Sequence, residues 1–157
     1  MTRHLIRNLS FLIILTLLVT SATASPPALA SVTTVAKSRG YKIHVTVDEV
    51  KVGQASSFHV TVEAKEGYQI CQKFAHSLSL NAPAHGISLT QTRLKARAFD
   101  KNKSILFRGT RQLTFIVRFE ATKRGQFELP ASLRLSVQNS TEVLTKKRKF
   151  TINLKVD

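Results

Sequence analysis

The chain has 157 residues, a length that suits one domain. It carries 24 Lys and Arg against 9 Asp and Glu, a formal net charge of +15, which indicates either an anionic partner or an alkaline domain whose basic side chains are only solvated. The single cysteine, Cys71, excludes a disulfide within the chain, so the fold depends on its hydrophobic core.

The first element along the chain is a targeting pattern. A basic start containing Arg3 and Arg7 precedes an apolar run over residues 9–19 and a stretch of small residues. This order predicts a secretory signal peptide over residues 1–24, cleaved at one of two Ala-x-Ala sites. The apolar run is about half as long as a membrane span requires. Cleavage after Ala24 lowers the net charge from +15 to +13, and we expect a periplasmic or secreted protein that does not span the membrane.

The mature chain then divides into a short leader and one domain. Residues 25–40 are rich in Ser, Pro, Ala and Thr, which is typical of a linker or loosely held N-terminal arm. From residue 41 onwards, apolar and polar residues alternate in runs separated by turn residues. The clearest runs are residues 41–47, 57–64, 113–121 and 150–156, with weaker ones at 77–80, 87–92 and 131–137. The pattern predicts an all-β fold over residues 41–157, an immunoglobulin-like antiparallel β-sandwich of seven to nine strands.

The sequence has few residues that are arranged for catalysis or metal binding. The carboxylates are few and do not pair in a way that predicts acid–base catalysis. Cys71, His76 and His85 offer ligand types that suit zinc or copper, but their spacing fits no compact ligand pattern. We therefore expect no catalytic residue, no metal site and no cofactor, and we interpret these histidines as solvated or capping residues.

Basic residues concentrate in a segment that the pattern predicts to be one hairpin, from Arg93 to Arg111. The candidate anion-binding residues are Arg93, Lys95, Arg97, Lys101, Lys103, Arg108 and Arg111. A second basic run covers residues 146–149. Most phenylalanines fall on the apolar side of a strand, so the exposed aromatic residues that nucleic-acid binding uses are not predicted. An anionic lipid or glycan of the cell envelope is the expected ligand of such a surface.

Cys71 has two interpretations. Lys73 and His76 are close in sequence, and neighbouring cations favour the reactive thiolate form. A lone cysteine between Ile70 and Gln72 at the entrance to a strand is, however, typical of a small buried residue. The sequence favours packing, and leaves open a thiol that forms mixed disulfides or a dimer.

Two long segments carry a family resemblance. They are VGQASSFHVTVEAKEGYQICQKFAHSLSLNAP and LTFIVRFEATKRGQFELPASLRLSVQNSTEVLTKKRKFTINLKV. The order of a strand, a Gly-Tyr segment, an aromatic step and a Leu-x-Leu strand resembles the periplasmic N-terminal domain of the DsbD family of thiol:disulfide interchange proteins and its stand-alone relatives. The resemblance covers roughly residues 41–157 and implies an immunoglobulin-like fold.

The same resemblance implies a pair of cysteines that passes electrons to periplasmic thiol oxidoreductases. The matching positions here are Gln138 and Val143, so both cysteines are absent. A dithiol couple needs two sulfurs within bonding reach, and Cys71 lies in a different segment. We therefore expect an exported, non-catalytic binding or interaction domain with a periplasmic or envelope protein as its partner. The alternatives are a thiol-active protein that uses Cys71 and a basic module that binds anionic lipid or glycan.

Overall fold

The computed structural model describes residues 31–81, 83, 85–97 and 103–157, so the predicted signal peptide lies outside the described residues. The described residues form eleven β-strands and no helix, and hence contain no helical membrane span. In chain order the strands are β1 (Ser31–Lys37), β2 (Tyr41–Val47), β3 (Ala55–Ala64), β4 (Gln69–Ile70), β5 (His76–Leu80), β6 (Ile87–Leu89), β7 (Arg93–Ala96), β8 (Ile105–Arg108), β9 (Gln112–Ala121), β10 (Gly125–Gln138) and β11 (Val143–Val156).

The strands form two antiparallel sheets that face each other as a sandwich. Sheet A has the order β1-β2-β3-β9-β6, and β8 pairs with β9 beside β6. Sheet B has the order β11-β10-β5-β7, and β4 pairs with β10 beside β5. The predicted all-β antiparallel sandwich is confirmed, with more strands among the described residues than the predicted seven to nine. Strand β4 has only two residues, which is too short for alternation to be recognised.

The core lies between the sheets because each long strand places every second residue inward. The largest side chains that are fully buried include Tyr41, Phe58 and Phe115 from sheet A, and Leu78, Leu133 and Ile152 from sheet B. Burial of a tyrosine requires a partner for its hydroxyl. The Nε–H group of Arg148 on β11 donates to the Tyr41 hydroxyl at 2.7 Å, which ties sheet B to sheet A.

Two segments differ from the sequence-based prediction. Residues 31–37, placed in the linker or N-terminal arm, form the edge strand β1, which pairs with β2. The predicted single hairpin from Arg93 to Arg111 is wrong, because β7 pairs with β5 in sheet B and β8 pairs with β9 in sheet A. Leu94 on β7 and Ile105 on β8 are both buried, so each strand contributes to the core from its own sheet.

Candidate functional site

Two rows of directly opposed residues cross the outer face of sheet B from β11 to β7. The first row consists of Lys147, Arg134, Ser77 and Lys95. The second row consists of Lys149, Ser132, Ser79 and Arg93. Arg97 follows Lys95 by two residues, just beyond the end of β7. We call these six cations and three serines the basic face.

The basic face has a lower centre between two charged sides. Neighbouring strands lie about 4.8 Å apart, so β11 and β7 are separated by about 14 Å. Ser77, Ser79 and Ser132 are half-buried in the centre, whereas the lysines and arginines of both outer strands are exposed. Two depressions of about 380 and 440 Å³ lie on this face, the first lined by Ser77 and the second by Ser79 and Ser132.

Arg134 is the cation in the middle strands, and an aromatic ring orients it. Its guanidinium carbon lies 5.0 Å from the centre of the Phe74 ring, within the range of a cation–π contact. The Phe74 ring in turn meets the His76 ring edge-on, with 5.2 Å between ring centres. Arg134 also lines the first depression, so its charged group is both held and available.

The charge of the basic face is not neutralised by described carboxylates. The ion pairs among the described residues are Arg39–Glu142, His44–Glu63, Lys51–Glu49 and Lys155–Asp157. None of them includes a cation of the basic face. Glu128 is on the same side of β10 as Ser132, four residues away from it, and lies opposite Asn153. Concentrating one sign of charge in this way attracts counter-charged ligands.

The structure brings together only part of the predicted anion-binding set. Arg93, Lys95 and Arg97 belong to the basic face. The remaining described members are in the other sheet or its turns: Lys103 precedes β8, Arg108 ends it and Arg111 lies in the turn between β8 and β9. Lys101 lies outside the described residues.

The sequence-based set omitted Arg134 and did not separate the two sides of the basic run at residues 146–149. Lys147 and Lys149 alternate with Arg148, which turns inward to Tyr41. The sequence could have shown this, because consecutive residues of a strand point to opposite faces of the sheet. Arg134 joins the other cations only because β10 pairs with β5, and the local sequence does not indicate this pairing.

Cys71 directly follows β4 and is not one of the buried core residues. Its side chain is half-buried and its thiol is free. Its backbone N–H donates to the Ser136 carbonyl at 3.0 Å, and its own carbonyl accepts a hydrogen bond from His76 Nε2 at 2.9 Å. The backbone of Cys71 therefore has a defined structural role, independent of any role of the sulfur.

His76 fills a break in sheet B. Two short strands pair with the same side of β10: β4 pairs with it from Val137 onwards, and β5 pairs with it up to Arg134. Ser136 lies in the gap between them and has no strand partner on that side. The His76 ring accepts from the Ser136 N–H at 3.4 Å through Nδ1 and donates to Cys71 through Nε2. His76 is completely buried, so its interpretation as a solvated residue is wrong, whereas its hydrogen bonds to two backbone groups agree with a capping residue. Burial lowers the pKa of His76, against a smaller opposing effect of the Cys71 carbonyl.

The structure does not assemble the three metal-ligand candidates into a site. His85 is exposed in the loop before β6, whereas both His76 ring nitrogens already have hydrogen-bond partners. Within the described ranges, no group of three or more His, Cys, Asp or Glu residues is arranged to hold a metal ion.

Gln138 and Val143 are direct cross-strand partners at the tip of the β10–β11 hairpin. Gln138 also faces Gln69 of β4, and Val143 is 62% exposed. Between them, the Asn139 side-chain oxygen accepts hydrogen bonds from the backbone N–H groups of Thr141 and Glu142, and these bonds close the turn.

The Gly-Tyr corner is attached to this hairpin tip. Tyr68 donates its hydroxyl hydrogen to Glu142 Oε1 at 2.5 Å, and Arg39 pairs with the same carboxylate. The hydrogen bond to Glu142 is the main cause that raises the pKa of Tyr68. Gly67 precedes the tyrosine with a φ of 78°, a conformation that favours glycine. The corner and the tip thus form one connected unit.

Comparison with known proteins gives no family assignment. No protein-family model matches the chain, and no curated protein matches it. Among solved structures, the chain is similar to AggA, the major subunit of aggregative adherence fimbriae type I (AAF/I) from Escherichia coli. The sequence identity is 13%, the TM-score is 0.39, and the match covers 80% of this chain and 99% of that chain. We draw no functional conclusion from a similarity at this level.

Proposed function

We propose that this chain is a non-catalytic binding domain of an exported protein and recognises an anionic partner through the basic face. The observation that carries this proposal is six cations on one side of one sheet, none of them paired with a described carboxylate. A single exposed ion pair contributes at most about 1 kcal/mol. Useful affinity therefore requires a partner that contacts several of these cations together.

The proposed ancestry is the DsbD N-terminal type with the redox chemistry lost. The two positions that match the family's cysteines, Gln138 and Val143, are directly opposed across the β10–β11 hairpin. This pairing supports the proposed relationship, because two cysteines there would be neighbours. With glutamine and valine in their place, the domain has no dithiol couple and is left with binding. The predicted signal peptide gives the proposed location, the periplasm or the extracellular space.

Two variants with equal charge loss test the proposed function. The β7 variant carries Arg93→Gln, Lys95→Gln and Arg97→Gln, which remove three exposed cations of the basic face. The control variant carries Lys37→Gln, Arg118→Gln and Lys123→Gln, three exposed cations on or beside sheet A.

Each protein is titrated with four anionic probes at low and high salt: a sulfated polysaccharide, phosphatidylglycerol vesicles, polyglutamate and duplex DNA. We expect at least one probe to bind the wild-type domain, with an affinity that falls steeply as salt increases. The β7 variant should lose this binding and the control should keep it. The proposal fails if no probe binds, or if both variants lose the same affinity.

The partial exposure of Cys71 favours one alternative function, a thiol that forms mixed disulfides or a dimer. The rate of labelling by an aromatic disulfide reagent, in the folded and the urea-unfolded protein, separates the two functions. Strong protection of the folded thiol supports the binding domain. Labelling as fast as in the unfolded chain, together with a stable mixed disulfide to a periplasmic-type dithiol protein, supports the alternative.

A further inference from the structure

We propose that the ligand of the basic face is a linear acidic polysaccharide that carries carboxylate or sulfate groups. This inference rests on the proposed function and assigns its ligand class. The basic face would hold one extended chain along its lower centre, between the cations of β7 and those of β11. Charge complementarity and the groups exposed in the centre together specify this class of ligand.

The centre of the basic face offers hydroxyl groups. Ser77, Ser79 and Ser132 form no side-chain hydrogen bond with any described residue, and all three are half-buried rather than fully exposed. A serine hydroxyl donates one hydrogen bond and accepts others. Sugar hydroxyls have the same capacity, so a polysaccharide chain matches the centre as well as the charged sides. Polyglutamate supplies carboxylates but no hydroxyl groups.

Arg134 supplies directional recognition of an acidic group. A guanidinium binds carboxylate or sulfate oxygens with two parallel N–H donors, which a lysine ammonium does not reproduce. The contact with Phe74 limits the orientations of this guanidinium before the ligand binds. Lys147 and Ser77 are its cross-strand neighbours, so an acidic group bound there also has a second cation and a hydroxyl within the same row.

A bilayer surface fits this face less well. Proteins that bind membrane surfaces commonly insert exposed apolar side chains beside their cations. Of the exposed large hydrophobic residues, Val32, Val52 and Leu106 belong to β1, the β2–β3 connection and β8 on the sheet A side. Val143 is at the hairpin tip, on the same side of β11 as Lys147 but four residues away from it. The basic face itself presents charge and hydroxyl groups to its ligand.

Single-stranded nucleic acid is also a poorer match, because its binding depends on aromatic rings that stack on bases. Phe74 is half-buried beneath Arg134. Phe150 lies on the opposite side of β11 from Lys149, since consecutive strand residues point to opposite faces. Phe150 borders the second depression, but both rings are half-buried, so neither is fully exposed for stacking on a base.

Three further comparisons test the polysaccharide assignment. The probes are dextran sulfate and polygalacturonate, with neutral dextran as the uncharged control. The β7 variant should bind both acidic polysaccharides about tenfold or more weakly, as expected for three exposed ion pairs. Arg134→Lys should also weaken binding several-fold although the net charge is unchanged. A Ser77→Ala, Ser79→Ala, Ser132→Ala variant should weaken polysaccharide binding and leave polyglutamate binding unchanged.

The outcomes separate this inference from the proposed function. Tighter binding of an acidic polysaccharide than of vesicles, polyglutamate or duplex DNA at equal charge concentration, with the three variant effects, supports the inference. If one of the other anions binds best and still depends on the β7 cations, the polysaccharide assignment is overturned and the binding-domain proposal stands. If no anion binds the wild-type protein, both are overturned. Circular dichroism and urea unfolding verify that each variant is folded.

Discussion

Replacing His76 by alanine should strongly destabilise the domain. The ring is completely buried, packs against Phe74 and Phe107, and connects two backbone groups at the break in sheet B. One is the Cys71 carbonyl at 2.9 Å and the other is the Ser136 N–H at 3.4 Å. The substitution removes both hydrogen bonds and opens a space beside two aromatic rings.

The size of the effect follows from these contacts. Truncating a large buried side chain to alanine costs about 2 kcal/mol or more, and a lost hydrogen bond to a buried backbone group adds about 1 kcal/mol. Because the Ser136 contact is long, we expect a total decrease in the free energy of unfolding of about 3–4 kcal/mol for His76→Ala. This is a large fraction of the roughly 5–15 kcal/mol that stabilises a typical domain. His85→Ala, at an exposed position, should change stability by less than about 0.5 kcal/mol.

Urea unfolding followed by circular dichroism at pH 8 measures both variants. A decrease below about 1 kcal/mol for His76→Ala would refute the structural role. If the variant does not fold, the pH dependence of the wild-type protein and of His76→Asn provides the second test. Asparagine retains hydrogen-bonding groups and does not titrate.

The sign of that pH dependence follows from the lowered pKa of His76. The unfolded chain binds a proton at this histidine near pH 6.5, whereas the folded chain binds it only at lower pH. The His76 contribution to stability is therefore complete above about pH 6.5 and decreases as the pH falls toward the folded pKa, by at most about 1.4 kcal/mol per pH unit. The stability difference between wild type and His76→Asn should shrink over this range. A difference that grows on acidification would show that His76 is not destabilised by protonation in the folded protein.

Two further predictions concern the hairpin tip. In a Cys71→Ser background, Gln138→Cys with Val143→Cys should form a disulfide on mild oxidation, because directly opposed residues in an antiparallel pair have Cα atoms about 4.5–5.5 Å apart. Thiols that stay free in the folded double variant would contradict this register. Glu142→Gln should lower the pKa of Tyr68 toward its ordinary value, because the hydrogen bond to Glu142 is the main cause of its increase. An absorbance titration against a Tyr68→Phe control measures this, and an unchanged pKa would argue against the contact.

The fold class was predictable because the long strands each bury one face. Residues 41–47 and 150–156 alternate so regularly that the structure reproduces both as β2 and the end of β11. Short strands such as β4 were not predictable, since two residues contain no period. The predicted hairpin at residues 93–111 failed for a different reason: alternation shows that a segment is a strand, but not with which sheet it pairs.

The candidate site could be predicted only in part, for the same reason. Arg93, Lys95 and Arg97 were found from local charge, and they form one side of the basic face. Arg134 joins them through the register of β10 with β5, which is a tertiary property. The role of His76 likewise depends on the gap between β4 and β5, where a backbone N–H has no strand partner.

The most direct test of the basic face is a map of amide chemical shifts in the isotope-labelled domain during titration with an acidic oligosaccharide. If the ligand binds the basic face, the shifts concentrate on β5, β7, β10 and β11, around Ser77, Lys95 and Arg134. They should disappear in the β7 variant. Shifts that concentrate on β2, β3 and β9, or that do not occur at saturating oligosaccharide, would contradict ligand binding at the basic face.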